Sequence, residues 1–522
     1  MNGRPPRTGL ALAAVCAAAA IAYAPSFGVP FQFDDSARLG GNWSLQYGGL
    51  FEALQWLGNS RLVPALTLVL NYRFGGFDPV GYHAVNFAVH VLASVGVFAL
   101  ALALTRTPRL RDAWHPRRAL LLATAAALIF ACHPLQTQAV TYIIQRYASM
   151  AAMFYVWAVV CYLQARNRYA GVESGRPAPY VVATILLAIC AALSKENSAS
   201  LPAALLLAEW IGFGWPRQRR TIVVGAVLLL IVLALPLGWR LMFWAPYVQS
   251  DGPSPVTLSG RLADVIMTPR ASLPDRPAPL VYFLTQATVL PRYLRLVALP
   301  WGQSIDHDVP LAQSLSAPVL AGFAFLAGLA AFGLSQVRRR PLLTFAICWF
   351  FITLSVESSL FSISDVMMEH RMYLPMAGLA LGLAWLFTAV VDRAPRLALA
   401  AGAVVAIALI SLTFARNVVW RSPLTLWLDA AEKSPDKNRP HVNLGVAYHV
   451  ADRLDDAVRH FCRALEINPE DMVASDNLEI VLEAQGKLDK VAVRVVERRP
   501  DGSVLLEMDD VSSYCPKDPA KN

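Results

Sequence analysis

The sequence predicts an all-α polytopic membrane protein with a small soluble C-terminal region, and three observations carry that prediction. Of 522 residues, 56% are hydrophobic and only 16% charged, against about a quarter charged in an ordinary soluble domain. Apolar runs near the ~20 residues that a bilayer crossing requires recur through most of the chain. Past Arg416 the composition turns charged, and the apolar residues take on the spacing of a helical repeat.

The apolar runs lie near residues 8–24, 83–104, 118–132, 148–165, 179–193, 198–213, 221–240, 316–335, 341–356, 372–391 and 396–414, eleven in all. Arg4 and Arg7 precede the first, and Ala22-Tyr23-Ala24 loosely mimics a cleavage site, but the many later runs favour an uncleaved first span. Basic clusters then fall in alternate loops: Arg4 and Arg7, Arg106 to Arg118, Arg166 to Arg176, Arg217 to Arg220, Arg338 to Arg340, and Arg393 with Arg396. All six map to one side, which the positive-inside rule makes the cytoplasm. The net charge of +9 therefore reports topology and gives no signal for nucleic acid. Two stretches, 278–299 and 61–72, would break this alternation and are read as re-entrant or interfacial, because Pro291, Arg292 and Arg295 interrupt one and Pro64 the other. An odd span count leaves the N-terminus in the cytoplasm and the C-terminal region outside. With the Ala/Arg/Leu-rich composition, this reads as a bacterial inner-membrane protein whose C-terminal region is periplasmic.

Three regions follow: a membrane domain over 1–415, a repeat region over 416–490, and a segment over 491–522. Leu444, Gly445, Tyr448, Ala457, Phe461, Ala464 and Pro469 fall at positions 7, 8, 11, 20, 24, 27 and 32 of a 34-residue tetratricopeptide repeat. Small residues let its two helices approach, large ones fill between them, and the proline ends the second. A further repeat begins at Asn477, Leu478 and Gly486 but loses the pattern at Val491, Val495 and Arg498. Val491–Glu497 and Ser503–Met508 flank Pro500-Asp501-Gly502 and read as a hairpin before a disordered tail. One repeat is fewer than the ~3 that usually stand alone, so this region is expected to pack on the membrane domain or a partner. The seven cysteines are scattered, which argues against a disulfide framework and a zinc site. Cys462 and Cys515 would pair only outside the cytoplasm, and nothing in their spacing demands it.

The side opposite the basic clusters collects the residues suited to chemistry. Asp34 and Asp35 leave the first span together. They fit a general base or metal ligand at a polar/apolar boundary, and equally a solvated pair capping a helix. Ionisable groups at membrane depth cost ~2.5 to 3.5 kcal/mol each and are usually paired or functional. Arg146, Lys195-Glu196 and Glu369-His370-Arg371 are such groups. They suit a lipid-linked phosphate, against a reading of snorkelling and helix-end complementarity. His83, Asn86 and His90 share one helix face, where hydrogen bonds between spans are favoured over a metal site. Asp306-His307-Asp308 stays open as a ligand set, an acceptor contact or a solvated loop.

In their order these motifs resemble the transmembrane and tetratricopeptide-repeat O-mannosyltransferases, and the bacterial proteins similar to them, within the GT-C glycosyltransferase fold. The resemblance runs from about residue 20 to 470. It rests on Phe33-Asp34-Asp35 with Asn42, Arg61 with Pro64, and Tyr82-His83 with Asn86 and His90. It continues through His133-Pro134 with Gln138 and Val140 to Arg146, Ser194-Lys195-Glu196 with Pro202, and Thr285-Gln286 with Tyr293 and Pro300, to Glu369 through Pro375. It implies transfer of a sugar from a polyprenyl-phosphate carrier, undecaprenyl phosphate in a bacterium, to a hydroxyl on the periplasmic side, such as a Ser or Thr of an envelope protein. Asp34 then matches the catalytic base, with Asp35 beside it. Arg146, Lys195 and Arg371 would bind the donor phosphate, while Glu196, Glu369, His370, His83 and His133 would orient these groups or touch substrate. A cation clamp makes a divalent metal compatible but not required, and no other cofactor is implied. The repeat region would dock the acceptor protein. The repeat array is shorter than in the animal members and the loop over 242–280 is this chain's own, so sugar and acceptor do not carry over. The competing reading is a non-catalytic, membrane-anchored repeat scaffold of the envelope, which has no use for the acidic pair. A flippase would show inverted internal repeats, and none is seen among the spans.

Overall fold

The computed structural model describes residues 8–40, 43–58, 61–214, 277–359, 362–487, 493–498, 504–508 and 515. It divides into two units, one of Met1–Gln303 with Val309–Val418 and the other of Ser304–Asp308 with Val419–Asn522. In the first unit we number the principal helices α1 (Thr8–Tyr23), α2 (Leu62–Gly75), α3 (Pro79–Thr105), α4 (Pro116–Cys132), α5 (Arg146–Tyr169) and α6 (Ala178–Ala192). These are followed by α7 (Leu201–Gly212), α8 (Pro279–Ala298), α9 (Ala317–Ser335), α10 (Pro341–Leu354), α11 (Tyr373–Val391) and α12 (Pro395–Val419).

Among the described residues six helical stretches are long and apolar enough to cross a membrane: Thr8–Gly28, Pro79–Thr105, Ile143–Tyr169, Ala317–Ser335, Glu369–Val391 and Pro395–Val419. Pro116–Cys132 with Pro134–Thr141 makes a seventh, bent by 54°. The bend has a local cause. His133 precedes a proline and is extended (φ −78°, ψ 128°), so the helix stops there. Its Nδ1 accepts the Leu135 N–H at 3.2 Å, which leaves Nε2–H to donate to the Val297 carbonyl at 3.0 Å.

The protein is therefore a multi-pass membrane protein, with fewer full-length spans than the eleven expected. The runs at 179–193 and 341–356 are helices of 15 and 14 residues. The run at 198–213 is a helix of 12 residues after a 3-10 turn, and the one at 221–240 lies outside the described residues. Neither interrupted stretch folds back on itself: Leu62–Gly75 and Pro279–Ala298 are each one continuous helix. The second helix accommodates Pro291 and buries Tyr282, Thr285, Gln286 and Tyr293. Pro291, Arg292 and Arg295, which made it read as interrupted, all lie off the buried face.

Within this unit α3 packs against α4 and α5, α11 against α4 and α10, and α5 against α6. Of the eight residues that α4 buries, five are Ala119, Ala123, Ala126, Ala127 and Ala131, with Leu122, Phe130 and Cys132 beside them. Small residues at that spacing let neighbouring backbones come close where water supplies no driving force. The same logic joins α8 to α9: a Cβ on Gly322 would stand 2.1 Å from the Ala287 carbonyl oxygen. By contrast α12 leaves Leu397, Val404 and Ile407 more than 60% exposed, as a lipid-facing helix does.

The second unit holds α13 (Pro423–Lys433), α14 (Asn438–Val450), α15 (Leu454–Ile467) and α16 (Met472–Ala484). Helices α14 and α15 form a hairpin in which Gly445 leaves room for the Phe461 ring; a Cβ there would meet it at 2.6 Å. Val493–Arg498 pairs antiparallel with Val504–Met508. Cys462 and Cys515 are disulfide-bonded, their Cα atoms 5.4 Å apart and 53 residues apart in sequence. This corrects the reading from spacing, which counted against pairing; a bond between one helix and a distant tail leaves no local signature.

Asp306 also finds its place in this unit. Its buried carboxylate takes Arg439 through Nε at 2.7 Å and Nη2 at 2.6 Å, with Lys437 Nζ at 2.5 Å. Burial alone would raise this carboxyl, but Arg439 and Lys437 outweigh it and hold the group below its ordinary range. Ser434 Oγ donates to the Asp306 carbonyl at 2.9 Å and accepts the Asp308 N–H at 3.1 Å. Asp306 is thus a paired structural carboxylate, which is none of the three readings left open for this triplet.

Candidate functional site

The chain leaves the first span through a strained residue. Phe33 has φ 50°, in a region that non-glycine residues rarely adopt and that clusters at functional sites. The turn it makes sends the two carboxylates to different environments. Asp35 is 1% exposed and accepts main-chain N–H groups from Gln32 at 3.2 Å, Ile143 at 3.3 Å and Ile144 at 2.8 Å. Burial raises its pKa from 3.8 to about 7, opposed by those three donors, with the neighbouring Asp34 charge adding to the rise. Asp34 is only part-buried. Its N–H donates to Tyr142 Oη at 3.1 Å, and its carboxylate also bonds that hydroxyl. Asp35 thus ties the loop to Ile143 and Ile144, and Asp34 is the carboxylate left with an open side.

Five residues further on, the same segment meets a cationic cluster. The Arg61 guanidinium lies over the Tyr147 ring at 5.2 Å, and its Nη2 donates to Glu196 at 3.1 Å. The Val63 N–H donates to the Leu193 carbonyl at 3.1 Å, fastening the start of α2 beside Lys195. Lys195 Nζ is 2.6 Å from Glu357 Oε1, both side chains under a tenth exposed. Burial pulls the Lys195 ammonium down, with Glu357 opposing. Tyr282 bridges to the third cation: its hydroxyl donates to the Glu357 carbonyl at 2.5 Å and accepts from Arg371 Nη1 at 3.1 Å. Arg371 also donates to the carbonyls of Asp365 at 2.5 Å and Val366 at 3.4 Å. Arg61, Lys195 and Arg371 all lie within electrostatic reach of His370. The His370 N–H donates to Gln138 at 2.7 Å, while its buried Nδ1 has no partner among the described residues.

Not every residue expected here faces the same space. Arg146 is 0% exposed, and four of its N–H donors are spent on neutral acceptors: Asn86 at 2.6 Å, Thr67 at 3.1 Å, Asn71 at 2.7 Å and the Tyr82 carbonyl at 2.9 Å. In this conformation it holds α2, α3 and α5 together and presents no surface to a phosphate, which corrects its placement in the clamp. His83 bonds the Val29 carbonyl at 2.8 Å, and His133 uses both ring nitrogens on backbone. Their partners make them ties between segments of the membrane unit. His90 is a third, between Tyr373 Oη at 2.8 Å and the Ala131 carbonyl at 2.9 Å. Glu369 is buried near His133. Arg61, Glu357 and Tyr282 were not singled out as site residues. The rule that flagged Lys195 and Arg371, an ionisable group at the end of an apolar run, applies equally to Glu357 in Ser355-Val356-Glu357. Among the described residues no group of three or more His, Cys, Asp or Glu side chains is arranged to hold a metal.

The fold and this site define a polytopic membrane protein with an acidic loop and a buried cationic cluster joined by one short segment. No family model matches the chain. It is similar to protein O-mannosyl-transferase TMTC3 of Mus musculus, 25% identical over 448 residues that cover 80% of this chain and 45% of that protein. It is likewise 27% identical over 469 residues to protein O-mannosyl-transferase TMTC4 of Homo sapiens, covering 82% and 62%. Over a shorter stretch of 150 residues, 29% of this chain and 15% of the relative, it is 36% identical to Tmtc1 of Drosophila melanogaster. The chain thus spans roughly half of the curated relatives it matches across most of its length. Among solved structures it aligns with ArnT from Cupriavidus metallidurans bound to undecaprenyl phosphate, at TM-score 0.43 and 15% identity over 92% of this chain and 79% of that one. It also aligns with the archaeal oligosaccharyltransferase AglB from Archaeoglobus fulgidus, at TM-score 0.38 and 13% identity over 97% and 75%.

Proposed function

We propose that the protein is a membrane glycosyltransferase that moves a sugar from a polyprenyl-phosphate donor to a hydroxyl acceptor, with Asp34 as the general base. One observation carries this reading. The segment 142–147 contacts Asp34 through Tyr142 at one end and Arg61 through Tyr147 at the other, so one stretch of six residues, at most ~17 Å long between its end Cα atoms, carries both the partner of an open carboxylate and the partner of a cation with spare donors. A base on the acceptor and a cation on the departing phosphate are the two charges that an inverting sugar transfer needs stabilised. Arg61 is the most available cation: its side chain is 35% exposed and, among the described residues, only Glu196 takes a hydrogen bond from it. Arg371 retains donors beyond its three oxygen contacts. Lys195, neutralised in place by Glu357, supports them. Asp35 acts through the backbone it binds, as a positioning residue. The similarity to protein O-mannosyl-transferases supports the reaction class. Loss of lipid-linked sugar transfer in Asp34→Asn, with the wild-type chromatographic profile retained, is the expected result; transfer at the wild-type rate would refute the base assignment.

The extracytoplasmic placement of this site rests on the alternating basic clusters and on two supports from the second unit. A disulfide persists in an oxidising compartment. Ser304–Asp308 and the region after Val419 form one folded unit, so they share a side of the membrane. The chain between them must then cross an even number of times: α9, α11 and α12 are long enough to span, and we count the 14-residue α10 as the fourth crossing. We assign the α14–α15 hairpin to a single tetratricopeptide repeat that receives the acceptor.

A further inference from the structure

At the far ends of the same helices the structure carries a second polar site. A cavity of about 590 Å³ opens where Thr8 begins α1, Thr105 ends α3, Pro116 begins α4 and Arg168 nears the end of α5. Asp34 follows the other end of α1, and Arg146 begins α5. A full helix length therefore separates the two sites, which lie at opposite ends of α1 and α5. The cavity floor is apolar, formed by Leu102 and Leu120, and its rim sets Arg106, Arg111 and Arg168 against the one carboxylate of Glu173. Glu173 takes Arg168 at 2.8 Å and Arg106 at 3.5 Å. Among the described residues Arg111 pairs only with Asp112, which is 89% exposed, at 3.5 Å. Arg106 and Arg111 remain more than half exposed, so the rim keeps a net positive charge with unspent donors. Trp114 is buried at the wall with the Arg118 guanidinium 4.6 Å over its ring, the aromatic-plus-cation pairing found at headgroup depth.

We propose that this cavity binds the headgroup of an anionic glycerophospholipid from the leaflet on the arginine-rich side. A phosphate-bearing anion answers the guanidinium rim. An attached apolar chain answers the Leu102 and Leu120 floor, which an inorganic anion would leave unfilled. The bound lipid ties together the ends of α1, α3, α4 and α5. The test is native mass spectrometry of the full chain in zwitterionic detergent, titrated with phosphatidylglycerol, phosphatidylcholine or inorganic phosphate. Phosphatidylglycerol is expected to be retained about tenfold or more over phosphatidylcholine. Arg106→Gln with Arg111→Gln, at side chains more than half exposed, lowers retention to the phosphatidylcholine level. Leu120→Trp, which fills the floor and leaves every charge, does the same, whereas Arg338→Gln with Arg339→Gln, in another basic loop, leaves retention unchanged. Equal retention of the two lipids overturns the proposal. So does phosphatidylglycerol selectivity that survives either cavity variant, or displacement of the lipid by millimolar inorganic phosphate, which would mark a free-anion site.

Discussion

Asp34 and Asp35 are adjacent in sequence and opposite in role because one turn, strained at Phe33, buries one and opens the other. Their substitutions should separate accordingly. Asp34→Asn is expected to cost at least ~100-fold in transfer, at the low end of a lost general base, with the melting temperature within a few degrees of wild type. Asp35→Asn should act first on stability and its pH dependence. The Asp35 pKa rises on folding from 3.8 to about 7, so the folded state holds this proton more tightly than the unfolded chain does. That contribution is fully present below the unfolded value and is lost as pH rises through about 7; its full size is at most about 4 kcal/mol. Melting temperatures measured from about pH 4 to 8 should fall more steeply for wild type than for Asp35→Asn, and parallel curves would refute the buried-carboxyl assignment. A double-mutant cycle tests Lys195 and Glu357. Either single replacement, by Met or Gln, strands a buried charge and should cost about 3 to 5 kcal/mol, while the double variant recovers most of the stability and still fails to transfer sugar.

The helices show how far periodicity reaches. The stripe of His83, Asn86 and His90 on α3 was legible as hydrogen bonding between spans; Asn86 and His90 have such partners, while His83 bonds the Val29 carbonyl in the segment after the first span. Arg146 was legible as a polar residue at membrane depth but not as a spent one. Its acceptors Thr67, Asn71, Asn86 and Tyr82 come from two other helices whose approach no spacing reveals. Close contacts are equally silent in sequence. Gly322 sits in an alanine-rich run that would tolerate Ala by composition, yet its Cβ would collide with the Ala287 backbone. Gly322→Ala should therefore lower stability by about 1 to 3 kcal/mol, seen as a lower melting temperature in detergent. An unchanged melting point would mean that α8 and α9 do not approach this closely.

At the scale of the whole molecule the testable quantity is parity. Reporters placed in the loop at Asp308 and after Asn522 should report the same side, because Ser304–Asp308 and Val419–Asn522 belong to one folded unit. Opposite signals would break that unit or the count of four intervening helices. Maleimide labelling without reductant should leave Cys462 and Cys515 unmodified, and labelling at both would remove the disulfide and its support for an oxidising compartment.

Sequence by itself determined the membrane class, the clustering of chemistry at span ends and the helical hairpin near the C-terminus, because hydropathy, charge bias and repeat spacing are local quantities. The tertiary structure alone decided which charges meet. Lys195 finds Glu357 162 positions away, Tyr282 joins Glu357 to Arg371, and Arg61 reaches Tyr147 across a stacking contact. It also decided that Asp306 is bound within the second unit and that Arg146 serves the packing of three helices. Ion pairing in a low-dielectric interior depends on a few ångströms of separation, and that separation is set by how helices pack, which residue order does not record.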